Sequence, residues 1–377
     1  MMNILITGGA GFIGSHTADA LLAQDHRIRI LDNLSPTVHP KGLPPYISKK
    51  IEFIEGDVTD KSMLQKALQG IEVVYHFAAY QDYLPEFSSF FRVNTQSTAL
   101  LYEILVETKQ PISRVIVATS QAIMGEGLYS CPHCFPETNT YLYPAIRSES
   151  QLKKRKWNHL CSACGAILHW QPSDESVVHP FNPYALSKHA QEQIALSLGN
   201  RYHIPTVVLR YSIVQGSRQS FYNAYSGAMR IFALSLFLQQ TPIVYEDGKQ
   251  IRDFININDA VAANTLVLTH PAAIGKTFNV GGGIPWTVNE FYETMQRVVG
   301  HSIEPIQNEF YRFGDTRHIF SDTGALQQLG WSPRFTVEDS IRAYWAYLEE
   351  QKNTDDILAY ANAQMKKLEV VRRVSSP

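Results

Sequence analysis

The sequence predicts a doubly wound α/β fold, a parallel sheet covered by helices on both faces. Three observations predict it. Short apolar runs alternate with helical patterns along the first two hundred residues, the signature of βα units. The first run, Asn3–Thr7, passes through a glycine-rich turn directly into a helical pattern. The chemically versatile residues then fall at the ends of successive runs, where ligands meet such sheets. The chain has 377 residues, 45% hydrophobic and 18% charged, as a globular protein with a large core requires. Its formal net charge of −2 gives no reason to expect a nucleic-acid partner. Its longest apolar runs, such as Ile231–Leu238, fall short of the ~20 residues of a membrane span. No basic region or cleavage site marks a signal peptide, so the expected compartment is the cytoplasm, with reduced thiols.

The turn reads Gly8-Gly9-Ala10-Gly11-Phe12-Ile13-Gly14, followed by a helix over Ser15–Ala23. Gly8 and Gly11 allow a tight turn and close approach of a phosphate, and Gly14 allows the helix to pack against the sheet. The helix N-terminus then faces a pyrophosphate. A second strand, Arg27–Leu31, ends at Asp32-Asn33, about 20 residues beyond the glycines, where a carboxylate holds an adenosine ribose. A 2′-phosphate would be repelled there, which favours NAD over NADP. The competing reading of Asp32 is a capping residue at a strand end.

Further βα units follow. Ile51–Ile54 leads to Gly56-Asp57-Val58, expected at the adenine edge. Val73–Phe77 leads to Ala78-Ala79, small residues where the cofactor crosses the sheet. Val115–Ala118 leads to Thr119-Ser120. With Phe12 and Ile13 at the turn, the expected cofactor contacts are completed by Asn94, Tyr184, Lys188 and Tyr211. Pro183 opens a helix predicted over Asn182–Gly199. Tyr184 and Lys188 are four apart on it and share a face. A free tyrosine is a poor base at neutral pH; a nearby ammonium stabilises its phenolate. Ser120, at a strand end, is placed to bind the same substrate oxygen. A solvent-exposed Tyr/Lys pair is the competing reading.

These residues carry a resemblance. TGGAGFIGS, Asp32, Ser120 and Tyr184-Ala-Leu-Ser-Lys188 resemble the extended short-chain dehydrogenase/reductase family, in its nucleotide-sugar epimerase/dehydratase branch, over about residues 3–350. The resemblance implies a Rossmann domain over 1–215, a smaller α/β substrate-binding part over 216–350, NAD, a nucleotide-diphosphate sugar and a homodimer. Arg252-Asp-Phe-Ile255 and Arg312-Phe-Gly-Asp315 resemble the family's later motifs. They imply that Arg252 and Arg312 clamp the substrate diphosphate, as forked donors suit; surface ion pairs compete with that reading. Family dehydratases and decarboxylases place a carboxylate just after the serine; here Gln121-Ala122 follow. The resemblance therefore favours 4-epimerisation: Tyr184 takes the O4 proton, hydride leaves C4 for NAD, and the 4-keto sugar turns over and is reduced on its other face. A one-way 4-keto-sugar reductase using external NAD(P)H is an alternative. So is a non-catalytic dinucleotide-binding protein. Ile213 stands where many relatives carry Asn, and Gln81–Phe87 is unusually aromatic and acidic. Rhamnose-like 6-deoxyhexoses, glucose and glucuronate stay open as the sugar.

Ser120 and Tyr184 are separated by an insertion over residues 128–172 holding all four cysteines: Cys131-Pro-His-Cys134 and Cys161-Ser-Ala-Cys164. Two such knuckles fit a tetrahedral, four-thiolate Zn²⁺ ribbon with no open position, hence a structural metal. Unrelated buried cysteines are the alternative. His133 and His159 read as surface residues, and Lys153–Lys156 as a solvated hairpin tip or an electropositive rim at the substrate mouth. Later elements are helices over Ser226–Gln240 and Thr287–Val299, with Thr287 capping and Glu290 three residues on. A strand is expected over Thr277–Val280, and Leu329–Pro333 with Val337–Leu348 closes the fold. Residues 351–377 form an extension: a helix over Asp355–Leu368 and a frayed Ser375-Ser376-Pro377.

Overall fold

The alternation of side chains along β-strands divides the first core into two halves. Ile4, Ile6, Ile116, Val207 and Leu209 face one side of the sheet, and Leu5, Val74, Val115, Val117 and Val208 face the other. The computed structural model describes residues 1–82, 85–134, 141–221, 227–351 and 371–375. Its main sheet has seven strands in the order Lys276–Val280, Thr206–Tyr211, Arg114–Ser120, Val73–His76, Asn3–Thr7, Arg27–Asp32, Glu52–Glu55. Every neighbouring pair is parallel. Helices Phe12–Leu22 and Ile257–Thr269 cover one face through Ala18, Leu21, Ala260 and Val267. Helices Lys61–Leu68, Ser97–Thr108 and Pro183–Arg201 cover the other through Leu64, Leu101, Leu105 and Ala195. The sheet is doubly wound, as its alternating pattern requires.

After Tyr211 the chain leaves this sheet and returns to it only at Lys276–Val280. Strand Ile251–Asn256 pairs in parallel with Ile213–Gln215 and antiparallel with Pro285–Thr287. Helices Gly227–Phe237, Val288–Val299 and Val337–Glu349 bury a second core around Phe254 and Phe291. Both of the last two helices begin with a capping box, Thr287 with Glu290 and Thr336 with Asp339. No helix among the described residues is long and apolar enough to cross a membrane.

The segment 128–172, expected as an insertion, contains an antiparallel pair, Leu128–Ser130 with His169–Gln171, and a short helix, Glu149–Lys153. Two expectations change here. His159 is buried, with Nε2 3.0 Å from Glu126 Oε2, because an acid on the main body draws it inward. Lys153–Lys156 is exposed, but it terminates that helix rather than turning a hairpin. His133 is exposed as expected. At the C-terminus, Val371–Arg373 pairs antiparallel with Phe310–Arg312, and the Ser375 N–H donates to Lys153 O at 3.2 Å. Ser375 is thus tied down rather than frayed. The helix expected over 355–368 lies outside the described residues.

Candidate active site

Gly8 has φ +67°, and a Cβ there would sit 2.7 Å from Ala78 N. At Gly14 a Cβ would meet Gly8 O at 2.5 Å. Only glycine lets the turn, the helix start and the neighbouring strand end converge so closely. They form the floor of a cleft of about 1320 Å³ at the C-terminal edge of the sheet. That exceeds the usual space for one small ligand, ~300–1,000 Å³.

The cleft wall includes Gly8, Gly11, Phe12, Ile13, Asp32 and Asn33. Asp57, Val58, Phe77, Ala78 and Ala79 continue it, and Ser120, Tyr184, Lys188 and Tyr211 lie further along. Asp32 meets the capping reading and also lines the cleft. Its Oδ2 accepts from Ala10 N and its Oδ1 from Leu34 N, both at 3.0 Å, while the side chain still faces the cleft. Asn33 Nδ2 donates to Asp57 Oδ2 at 3.0 Å, joining two of the expected contacts. Asn94 lies elsewhere: it is buried behind the wall, bonded to both backbone groups of Tyr80 and to Ser187 Oγ. Its amide is spent on holding the Tyr80 loop against the helix that carries Tyr184.

Ser120 ends its strand and Tyr184 opens its helix, with Asn182 Oδ1 accepting from Ala185 N as the N-cap. Burial pushes the Tyr184 phenol up to about 12, opposed by a hydrogen bond with Ser120. Burial pulls the Lys188 ammonium down to about 7. Lys188 Nζ donates to Ala118 O and to Gln191 Oε1, both at 2.9 Å. In the chain alone, then, Ser120 rather than Lys188 draws the phenol down, because the ammonium is committed to Ala118 and Gln191. Gln191, fully buried, was not legible as a site residue; its only signal is a polar residue one turn beyond Lys188 on an inward face.

Arg252 and Arg312 both line the far end of the cleft. Arg312 Nη2 donates to Asp315 Oδ2 at 2.9 Å, and Arg252 Nη2 lies 3.7 Å from the same oxygen. Burial would raise the Asp315 carboxyl, but Arg312 and Arg252 outweigh it and hold it below the usual carboxylate range. Arg252 also donates to Thr316 O at 2.8 Å and Arg317 O at 3.3 Å. Ile213 lines the cleft too. Sequence reasoning missed Tyr46 and Arg218, which close over the glycine turn. Tyr46 Oη donates to Ala10 O at 2.9 Å, and the Arg218 guanidinium lies 4.6 Å from the Tyr46 ring centroid.

A model of the NAD-dependent epimerase/dehydratase family matches residues 4–166 and 159–281. The chain belongs to that family. It is 28% identical over 355 residues to a dTDP-L-rhamnose 4-epimerase of Burkholderia thailandensis, covering 92% of this chain and 95% of the relative. It is similar to the crystal structure of a UDP-glucose 4-epimerase from Thermotoga maritima with UDP-glucose: TM-score 0.74, 25% identity, 93% of this chain and 99% of that one. A UDP-N-acetylglucosamine 4-epimerase from Methanobrevibacter ruminantium M1 gives TM-score 0.73, 26% identity and coverage of 93% and 99%.

The four cysteines lie on two turns. Their Sγ atoms all fall within 4.8 Å of one another, with Cys131–Cys164 at 3.6 Å and Cys134–Cys161 at 3.7 Å. Those separations match the roughly 3.7 Å edge of a tetrahedron with Zn–S bonds of about 2.3 Å, and far exceed a disulfide of about 2.05 Å. The N–H groups of Cys164 and Ala163 draw the Cys161 thiol down to about 6. The Cys164 and Cys161 sulfurs push Cys134 up to about 12. Four sulfurs this close need a cation before all can ionise.

The buried Lys188 leaves a signature. An unfolded lysine holds its proton to about 10.5, the folded one only to about 7. Between those values the unfolded chain binds more protons, so stability rises with pH. Cofactor-free protein should therefore gain stability from pH 7 to 9, and Lys188→Met should flatten that gain. Denaturant titrations at the two pH values measure it; an equal slope in wild type and variant would refute the assignment.

Proposed function

We propose that this protein is an NAD-dependent 4-epimerase of a nucleotide-diphosphate sugar. The observation that carries the reading is the convergence of Ser120, Tyr184 and Lys188 in one cleft between the glycine turn and Arg252 with Arg312. The carboxylates among the described lining residues are Asp32, Asp57, Asp315 and Glu350. None stands on the segments that carry Ser120, Tyr184 and Lys188, where dehydration would need an acid or base. The curated relative and the two solved structures described above are named as 4-epimerases.

The glycine turn and the start of helix Phe12–Leu22 hold the NAD pyrophosphate, and Asp32 holds the adenosine ribose. NAD, when bound, would supply a reversible hydride acceptor for C4. Tyr184 would take the O4 proton as that hydride leaves and give it back after the 4-keto sugar has turned over and is reduced on its other face, so no cofactor is consumed. Ser120 donates to the same sugar oxygen. Lys188, two of whose three N–H donors go to Ala118 O and Gln191 Oε1, would give the third to the nicotinamide ribose and, when protonated, would favour the phenolate. Arg252 and Arg312 pair with the diphosphate. Activity should therefore appear with UDP- or dTDP-sugars without added cofactor, and denaturation should release NAD. Tyr184→Phe should lower kcat about 10²–10⁴-fold, the usual worth of an acid–base group. Turnover that consumes stoichiometric NADPH would establish the reductase reading instead.

The four cysteines are proposed to hold one structural Zn²⁺, and their free thiols suit a reducing compartment such as the cytoplasm. Cys164→Ser should reduce bound zinc, measured by elemental mass spectrometry, and lower Tm by about 5 °C or more. Full metal content and an unchanged Tm would exclude this site. The proposed homodimer is supported by exposed Phe87, Phe91 and Leu186, which lie on adjoining helical segments. Light scattering should give twice the chain mass, and Leu186→Glu should shift it toward one; a wild-type monomer would refute the dimer.

A further inference from the structure

The insertion and the far end of the cleft share a buried ionic network that reaches from the family-like motifs around Arg252 and Arg312–Asp315 into residues outside them. Arg147, in the insertion, has a side chain only 2% exposed. Its Nη1 donates to Glu246 Oε2 at 2.7 Å and to Trp157 O at 2.8 Å, and its Nη2 donates to Asp315 O at 2.7 Å. The next two carbonyls of that same segment, Thr316 O and Arg317 O, accept from Arg252. The Asp315 carboxylate accepts from Arg312. One guanidinium from the insertion thus fixes the backbone on which both cleft arginines are seated. Arg317 closes the network: it donates to Glu246 Oε2, Asp247 and Asn158 Oδ1, the last another insertion residue. Apolar packing runs in parallel, since Trp157 and Leu152 cluster with Tyr311, next to Arg312, and with Val374.

We propose that Arg147 is a positioning residue through which the cysteine-bearing insertion sets Arg252 and Arg312, and so the affinity for the substrate's diphosphate. This rests on the reading that those two arginines hold the diphosphate. Physically, a planar fork satisfies a carboxylate and two carbonyls in fixed directions at once. A lysine at 147 reaches Glu246 but cannot hold Trp157 O and Asp315 O in the same geometry, so the 315–317 backbone loosens while the charge balance survives. Ser120, Tyr184 and Lys188 sit on other elements and are untouched.

The test uses the full-length protein with its copurified NAD. Arg147→Lys should weaken calorimetric binding of UDP or dTDP, whichever the wild type prefers, by about tenfold. It should raise KM similarly and leave kcat within about twofold, since lost ground-state binding moves KM alone. NAD content should not change. Asn158→Ala removes only the acceptor of Arg317 Nε and should give a smaller shift the same way, about threefold; it decides the matter if Arg147→Lys fails to fold. Folded variants that bind UDP and dTDP as the wild type does, or that lose kcat at unchanged KM, overturn the proposal. Arg312→Ala separates the two readings: if it leaves nucleotide binding unchanged, the diphosphate assignment itself falls. If it weakens binding while the Arg147 and Asn158 variants do not, only the role of the insertion falls.

Discussion

The catalytic end of this structure depends on one buried ion pair. Arg210 donates from Nε and Nη2 to the two oxygens of Glu192, at 2.8 and 2.6 Å. Its Nη1 donates to Glu175 O and Val177 O. Arg210 belongs to the strand beside Ser120's, Glu192 to the helix that carries Tyr184 and Lys188, and Glu175 and Val177 to the segment returning from the insertion. Thus strand, helix and insertion are pinned at one charge. Such a pair adds little over apolar packing, but leaving one partner unpaired costs about 3–5 kcal/mol. Its use here is register: two directed hydrogen bonds fix the helix lengthwise and in rotation, two more hold the returning segment, and so Tyr184 arrives at Ser120.

The same burial that makes the geometry rigid opposes the charges the chemistry needs. The Tyr184 phenol is driven toward its neutral form, and so is the Lys188 ammonium. Directed neutral groups counter this: Ser120 on the phenol, and Ala118 O and Gln191 Oε1 on the ammonium. Ser120 thus tempers the phenol without adding a charge, which would suit the reversible proton transfer proposed for Tyr184. His76 beneath them is pulled to about 3, by burial first and by Lys188 second. It stays neutral between Thr7 and Ser97 and adds no competing charge.

Much of this was legible because the signals are local. The turn Gly8–Gly14, the alternation of Ile4, Leu5 and Ile6, the four-residue spacing of Tyr184 and Lys188, and the two CxxC pairs each lie within one element. The Thr287–Glu290 capping box was readable for the same reason. What escaped was pairing across long separations. Arg147 meets Glu246 ninety-nine residues away, and Glu126 meets both His159 and the Arg317 N–H. Val371–Arg373 finds its partner only once Phe310–Arg312 is placed. Charged residues such as Arg147 and Glu246 read as surface in a sequence because burial is expensive unless the partner is known. Asn94 shows the converse: its position suited a ligand, and in the folded chain its amide bonds to Tyr80 and Ser187.

The insertion shows why such partners are worth their desolvation. Its own apolar clusters are small, Tyr129, Cys131, Cys161 and Leu168 in one and Leu152 and Trp157 in another shared with the body. A segment this short cannot order itself by hydrophobic burial. Two devices replace a core. Four sulfurs at tetrahedral spacing lie between its two turns, where the proposed Zn²⁺ would join them, and Arg147, Asn158 and His159 tie it to Glu246, Arg317 and Glu126. The second device has a consequence the first lacks. The proposed metal staple would order only the segment that carries it, whereas an ionic tie orders both partners, and here the other partner is the wall that carries Arg252 and Arg312. Loosening the insertion must therefore be felt in the cleft before it is felt in the sheet.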